Sequence, residues 1–105
     1  MTVETIEQTI REKAGVMLYF WGENCNVCHA LRPKLFDAFD QHFPQIEKIA
    51  IDVAQSPEIA ARFAVFSIPT GIVFLDGREF ERISRNVSIP ALVAKLSRPY
   101  SLLFG

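Results

Sequence analysis

Residues 21–35 of the chain, WGENCNVCHALRPKL, contain two cysteines three positions apart, Cys25 and Cys28, and a histidine directly after the second. A C-x-x-C-H string serves for covalent haem attachment, and its C-x-x-C part serves dithiol oxidoreductases. Only the sequence around this stretch can distinguish the two uses.

The cysteines lie between a predicted strand and a predicted helix. Residues 16–21 form a continuous apolar run, which is typical of a strand covered on both faces. Apolar side chains then recur at helical spacing at Cys28, Leu31, Leu35 and Phe39. Asn24 or Cys25 is suited to cap this helix, and Pro33 is expected to kink it. The pattern therefore predicts that the dithiol opens a helix.

The rest of the chain alternates between helix and strand. The pattern predicts, in chain order, a helix over about residues 2–13 closed by Gly15, a strand ending at residues 52–53, a helix capped by Ser56, strands over residues 70–75 and 78–84, and a helix from Ser88 to near Pro99. Asp76 and Gly77 are a strong two-residue hairpin signal, so the two strands beside them should be antiparallel. This order indicates an α/β fold with a mixed sheet between helices.

Length and composition exclude several classes of protein. The 105 residues, half of them hydrophobic, predict a single globular domain over residues 1–105. A formal charge of -1 without blocks of like charge argues against nucleic-acid and membrane-surface partners. The acidic N-terminal region does not resemble a signal peptide, and the longest apolar run is too short to span a bilayer. We therefore expect a cytoplasmic protein, in which a close cysteine pair is catalytic or metal-binding.

Haem, zinc and a purely structural role fit the cysteine pair poorly. Haem needs a second axial ligand, often a downstream methionine, and both Met1 and Met17 lie upstream. Zinc needs four ligands, and the candidates are Cys25, Cys28, His29 and His42. The adjacent Cys28 and His29 point to different faces of the predicted helix. Two thiols buried in a core would explain Cys28 but not Cys25 at the exposed start of a helix.

Dithiol chemistry accounts for every feature of the stretch. One helical turn holds residues i and i+3 about 5 Å apart, which is within the Cα separation of a disulfide. The positive end of the helix dipole favours a thiolate at Cys25, and the thiolate is the attacking species. The sequence therefore predicts Cys25 as the nucleophile and Cys28 as the resolving thiol, with no metal and no cofactor beyond their disulfide.

Two separated motifs resemble the thioredoxin family. The first is FWGENCNVCHALRP at residues 20–33, and the second is FSIPT at residues 66–70, which matches the cis-proline loop of that family. KIAIDV and the FLDG hairpin extend the resemblance over roughly residues 16–96. It implies a thioredoxin-like fold with a central mixed four-stranded sheet flanked by helices. Because the chain begins directly with a helix, the family's first strand is expected to be absent.

The resemblance also implies the residues that bind substrate. The Ile68-Pro69 peptide bond should be cis, packed against the dithiol, and the backbone before it should pair with an extended substrate segment. Trp21 should lie under the active-site loop. Asn24 replaces the family's tryptophan before the first cysteine, and Arg85 replaces the glycine beside the groove. These two departures are expected to alter substrate docking.

Proton transfer is the other property that the departures affect. Tyr19 stands in place of the buried aspartate that assists the resolving thiol, and Asn26-Val27 replaces the family's Gly-Pro. Glu23 and Lys48, the latter at a position where the family carries a lysine, are then the candidates to accept the proton of Cys28 through water. His29 lies four residues after Cys25 and can, when protonated, steady its thiolate.

The leading hypothesis is a thiol-disulfide oxidoreductase of thioredoxin type that reduces protein disulfides and draws electrons from a dithiol or flavoprotein donor. A glutathione-dependent, glutaredoxin-like reductase is one alternative, weakened because residues 81–92 lack the expected Gly-Gly-x-Asp loop. A non-enzymatic binding or chaperone module is another, in which Arg85 and the apolar tail form a protein interface.

Overall fold

The computed structural model describes residues 1–105, which form eight elements. In chain order they are α1 (Val3–Glu12), β1 (Gly15–Trp21), α2 (Asn26–His42), β2 (Glu47–Asp52), α3 (Pro57–Arg62), β3 (Thr70–Leu75), β4 (Arg78–Ile83) and α4 (Ile89–Phe104). The order of helices and strands predicted from the sequence is confirmed. No helix is both long enough and apolar enough to cross a membrane.

The four strands form one mixed sheet in the order β2-β1-β3-β4. β1 is parallel to β2 and antiparallel to β3, and β3 is antiparallel to β4. Asp76 and Gly77 both have positive φ, 53° and 80°, which is the backbone that a tight hairpin between right-twisted strands requires. The predicted mixed four-stranded sheet is confirmed. Its first strand in chain order is β1, which follows α1.

Two apolar clusters cover the two faces of the sheet. Along β1, Val16, Leu18 and Phe20 pack with residues of α1 and α3, while Met17 and Tyr19 pack with residues of α2 and α4. Successive side chains of a strand point to opposite faces, so a strand buried on both sides needs apolar residues at every position. This requirement explains the continuous apolar run that precedes the cysteines.

The predicted end of the last helix is wrong. α4 continues through Pro99 to Phe104, although proline removes one backbone hydrogen bond from a helix interior. Aromatic packing favours the continuation, because the Tyr100 ring lies 5.1 Å from that of Phe43 and 4.6 Å from that of Phe104. The Tyr100 hydroxyl also accepts a hydrogen bond from the backbone N–H of Gln45, at 3.1 Å.

Two smaller expectations also differ from the structure. Gly15 does not close α1, which ends at Glu12; it is the first residue of β1, where an added Cβ would lie 2.9 Å from Ile46 Cγ1. Close packing, rather than helix termination, is therefore what requires a glycine there. Ser56 precedes α3 as expected, but its side chain makes no capping hydrogen bond.

We expect deletion of residues 99–105 to lower the free energy of unfolding by about 2–4 kcal/mol, the range for losing large buried side chains. The deletion uncovers the fully buried Phe43 and removes the partner of the Gln45 N–H group. Urea unfolding followed by circular dichroism measures the change. Leu102→Ser is the matched control, because that side chain is 74% exposed and should alter stability little. Equal stability of the shortened and full chains would contradict the packing role of the tail.

Candidate active site

The dithiol lies at the start of α2, directly after the loop that leaves β1. Cys25 has extended backbone and is the N-cap of α2. Of the two caps considered from the sequence, Asn24 and Cys25, the structure therefore shows Cys25. Its Sγ accepts a hydrogen bond from the backbone N–H of Cys28 at 3.1 Å. The two cysteines form a disulfide, with their Cα atoms 5.2 Å apart. The predicted position of the dithiol at a helix start is confirmed.

The two sulfurs differ in exposure because they lie one helical turn apart. Cys28 is completely buried, whereas Cys25 is partly accessible. After reduction, the Cys25 sulfur would lie among the unpaired N–H groups at the positive end of α2, an environment that stabilises a thiolate. The geometry therefore suits attack by Cys25 and a later, internal attack by Cys28.

The loop before β3 lies beside the loop that carries the dithiol. The Ile68-Pro69 peptide bond is cis, as the sequence resemblance implies. β1 and β3 pair Phe20 with Thr70, and continuing this antiparallel register brings Pro69 opposite Trp21. A Cβ on Gly22 would lie 2.7 Å from Ile68 Cδ1, so the two loops are in direct contact.

Tyr19 reaches the resolving cysteine through the backbone and not through the sulfur. Its ring is fully buried, and its hydroxyl donates a 2.7 Å hydrogen bond to the carbonyl oxygen of Cys28. Burial raises the pKa of Tyr19, an effect that the nearby Arg32 guanidinium partly opposes. The side chain is therefore a neutral phenol at neutral pH and acts here as a hydrogen-bond donor.

Trp21 and His29 pack together beside the dithiol loop. Their ring centroids are 5.9 Å apart, and the Arg32 guanidinium lies 5.7 Å from the Trp21 ring. His29 Nε2 lies 2.7 Å from the carbonyl oxygen of Glu23, to which it donates in the tautomer with Nε2 protonated. Trp21 Nε1 is buried without a hydrogen-bond partner in the chain. His29 thus contacts the loop before Cys25.

The structure places three predicted site residues, Lys48, Asn24 and Arg85, in different surroundings. Lys48 pairs with Asp40 and lies 5.9 Å from the ring centroid of Phe36, so its ammonium group already has a carboxylate partner. Asn24 is exposed within the dithiol loop. Arg85 is exposed beyond β4 and makes no ion pair. It lies in the turn after β4, two residues beyond Ile83, whose partner in β3 is Gly71.

Sequence reasoning did not single out two further residues at this end of the molecule. Phe66, the first residue of the cis-proline loop, is 89% exposed. Arg82 of β4 donates to the carbonyl oxygens of Phe63 and Ala64, at 2.9 and 3.1 Å, and forms two hydrogen bonds with Glu79. The FSIPT string already contained Phe66, but no local pattern indicates which way its side chain points.

The site has no set of metal ligands: the chain contains no group of three or more His, Cys, Asp or Glu side chains able to hold a metal ion. Its reactive group is instead a partly accessible disulfide at the start of a helix, which an incoming thiolate can open. Such a dithiol on this fold defines the class of thiol-disulfide oxidoreductases. The thioredoxin family model matches residues 1–98, and the chain belongs to the thioredoxin family.

Individual relatives agree with this assignment. The thioredoxin-like protein YdfQ of Bacillus subtilis is 39% identical over 101 residues, which cover 96% of this chain and 89% of the relative. Thioredoxin of Streptomyces clavuligerus is 33% identical over 79% of this chain and 78% of its own. Among solved structures, thioredoxin 1 of Thermosipho africanus superposes with a TM-score of 0.72 at 30% identity, covering 83% of this chain and 96% of that one.

Proposed function

We propose that this thiol-disulfide oxidoreductase works in the reducing direction, on disulfides of other proteins, with Cys25 as nucleophile and Cys28 as resolving thiol. The observation that carries the proposal is the difference in exposure of two sulfurs one helical turn apart. The Cys25 thiolate attacks a client sulfur, forms a mixed disulfide and releases the first client thiolate. Cys28 then attacks the Cys25 sulfur, releases the second client thiolate and forms the Cys25-Cys28 disulfide.

Two electrons from outside the protein must restore the dithiol after each cycle. A dithiol or flavoprotein donor supplies them in our proposal, and no other cofactor takes part. The proposed compartment is the cytoplasm, where the reducing environment keeps cysteines in the thiol form. Residues 1–105 are proposed to act as one domain, since both apolar clusters share the same sheet.

The proposed substrate-binding residues lie on segments that adjoin Cys25. Trp21 is the last residue of β1, and Asn24 lies in the loop between β1 and Cys25. Ile68 and Pro69 belong to the cis-proline loop that contacts this loop. Arg85 is proposed to add an unpaired positive charge from the turn after β4, the strand that pairs with β3. A client segment in extended conformation is proposed to lie between these residues while its disulfide reaches Cys25.

Reduction of a model protein disulfide tests the proposal with dithiothreitol, glutathione or a thioredoxin reductase as donor. We expect turnover with dithiothreitol and little with glutathione, because residues 81–92 lack the Gly-Gly-x-Asp loop expected of a glutathione-dependent enzyme. The Cys25→Ser, Cys28→Ser double variant is the control for reduction by the donor alone. Turnover only with glutathione would indicate a glutaredoxin-like enzyme, and no turnover with any donor would indicate a binding module.

A further inference from the structure

Phe66 is the most exposed large apolar side chain of the protein. It is 89% accessible, compared with 41% for Phe80, the other exposed phenylalanine. Burial of a phenyl ring is favourable in free energy, and the fold itself leaves this ring in water. The ring is therefore suited to packing against a binding partner.

Phe66 belongs to the loop that adjoins the dithiol loop. Phe66 lies two residues before Ile68, whose side chain contacts the backbone of Gly22. The Gly22 carbonyl accepts a hydrogen bond from the N–H of Cys25 at 3.1 Å. The loop that carries Phe66 therefore adjoins the loop that carries Cys25, so an extended client segment can contact both.

The loop that carries Phe66 is held in place by β4. Arg82 donates hydrogen bonds to the carbonyl oxygens of Phe63 and Ala64, and Ala64 has the positive φ of 56° that turns the chain there. Glu79 fixes the Arg82 guanidinium through two hydrogen bonds of 2.9 and 3.0 Å. A side chain on a braced loop binds with a smaller loss of conformational entropy than one on a mobile loop.

Phe66 lines two open grooves. One, of about 370 Å³, runs toward β4 and includes Val65, Thr70 and Ile83 in its lining. The other, of about 170 Å³, is lined by Val53, Val65, Phe66, Ser67 and Ile68. The single charged residue of these linings, Arg82, is already paired with Glu79. Apolar residues make up half of the lining of the larger groove and four of the five lining residues of the smaller, so an uncharged, apolar side chain suits them.

We propose that Phe66 and the two grooves beside it dock an apolar side chain that flanks the disulfide of the client polypeptide. This inference rests on the proposed reduction of protein disulfides and adds the chemistry of the preferred client. A single aromatic side chain buries about 150–250 Å², well below the roughly 800 Å² per partner of a stable interface. The area thus favours a transient client over a second copy of the chain.

Two synthetic peptides test the inference, each closed by one disulfide and identical except for leucine or serine beside the cysteines. With dithiothreitol as donor, we expect the wild-type protein to have about tenfold higher kcat/KM for the leucine peptide, a ratio typical of one apolar contact. Phe66→Ser should remove this preference by lowering kcat/KM for the leucine peptide alone. Phe66→Leu should keep most of it.

Leu102→Ser is the matched control, since Leu102 is also exposed but lies in the tail of α4. That tail contacts Gly15 through Phe104, at the opposite end of β1 from Trp21. A preference that survives Phe66→Ser, or equal rates of the wild-type protein on both peptides, overturns the inference and leaves the proposed function standing.

Two further results are decisive. A concentration-dependent dimer in light scattering that Phe66→Ser abolishes would overturn client docking in favour of self-association. Failure of the wild-type protein to reduce either peptide would overturn the proposed function itself, so the two failures are distinguishable.

Discussion

Cys25→Ser should reduce protein disulfides no faster than the donor alone, whereas Cys28→Ser should accumulate a covalent mixed disulfide with its client. The accessible sulfur at the start of α2 makes the first attack, so its loss removes the reaction entirely. The buried sulfur one turn later releases the client, so its loss leaves the first step intact and blocks the second. Non-reducing electrophoresis of each variant after incubation with a disulfide-bonded protein measures both results.

The trapped species must disappear on addition of dithiothreitol, which confirms that it is a disulfide. The double serine variant is the control for non-covalent complexes. Equal loss of activity in both single variants without any adduct, or an adduct formed by Cys25→Ser instead, would contradict the assigned roles of the two cysteines.

Tyr19→Asp should speed the resolving step at neutral pH and destabilise the protein. Cys28 must lose its proton before it attacks, and a thiol in apolar surroundings holds that proton more tightly than a free one. Tyr19 cannot accept it, because burial raises the pKa of a group whose ordinary value is already near 10. If neither Glu23 nor Lys48 accepts the proton through water, resolution in the wild-type protein should be slow below pH 8 and rise with pH.

The cost to stability follows from the position of Tyr19. The side chain is fully buried, and its hydroxyl donates to the carbonyl oxygen of Cys28. An aspartate there loses the packing of the ring against Phe36, 5.7 Å away, and buries a carboxylate. We expect a loss of about 2 kcal/mol or more in the free energy of unfolding.

Stopped-flow reaction of the reduced protein with Ellman's reagent separates the two steps. Attack by Cys25 releases one thionitrobenzoate and forms a mixed disulfide, and attack by Cys28 then releases a second. The rate of the second release at pH 7 is compared between wild type, Tyr19→Asp and Tyr19→Phe. Tyr19→Phe is the control, because it removes the hydroxyl without supplying a base. An unchanged or slower second release in a folded Tyr19→Asp protein would mean that the Cys28 proton has another acceptor.

The sequence alone determined the elements and the reactive pair. The apolar run at residues 16–21 marked the buried central strand, and Asp76-Gly77 marked the hairpin, because both signals are local properties of the backbone. The spacing of Cys25 and Cys28 placed both sulfurs on one turn of helix, which is again a local relation. Resemblance to a family added the cis bond before Pro69, which no periodicity indicates.

Only the tertiary structure decided which residues of different elements contact one another. α4 passes Pro99 because Tyr100 packs on Phe43, far away in the sequence. Likewise, only the structure shows that the Tyr19 hydroxyl donates to the carbonyl oxygen of Cys28. Only the structure shows that Arg82 donates to the loop that carries the exposed Phe66. Each outcome depends on which side chains different elements bring together, and packing between elements distant in sequence leaves no periodic signal along the chain.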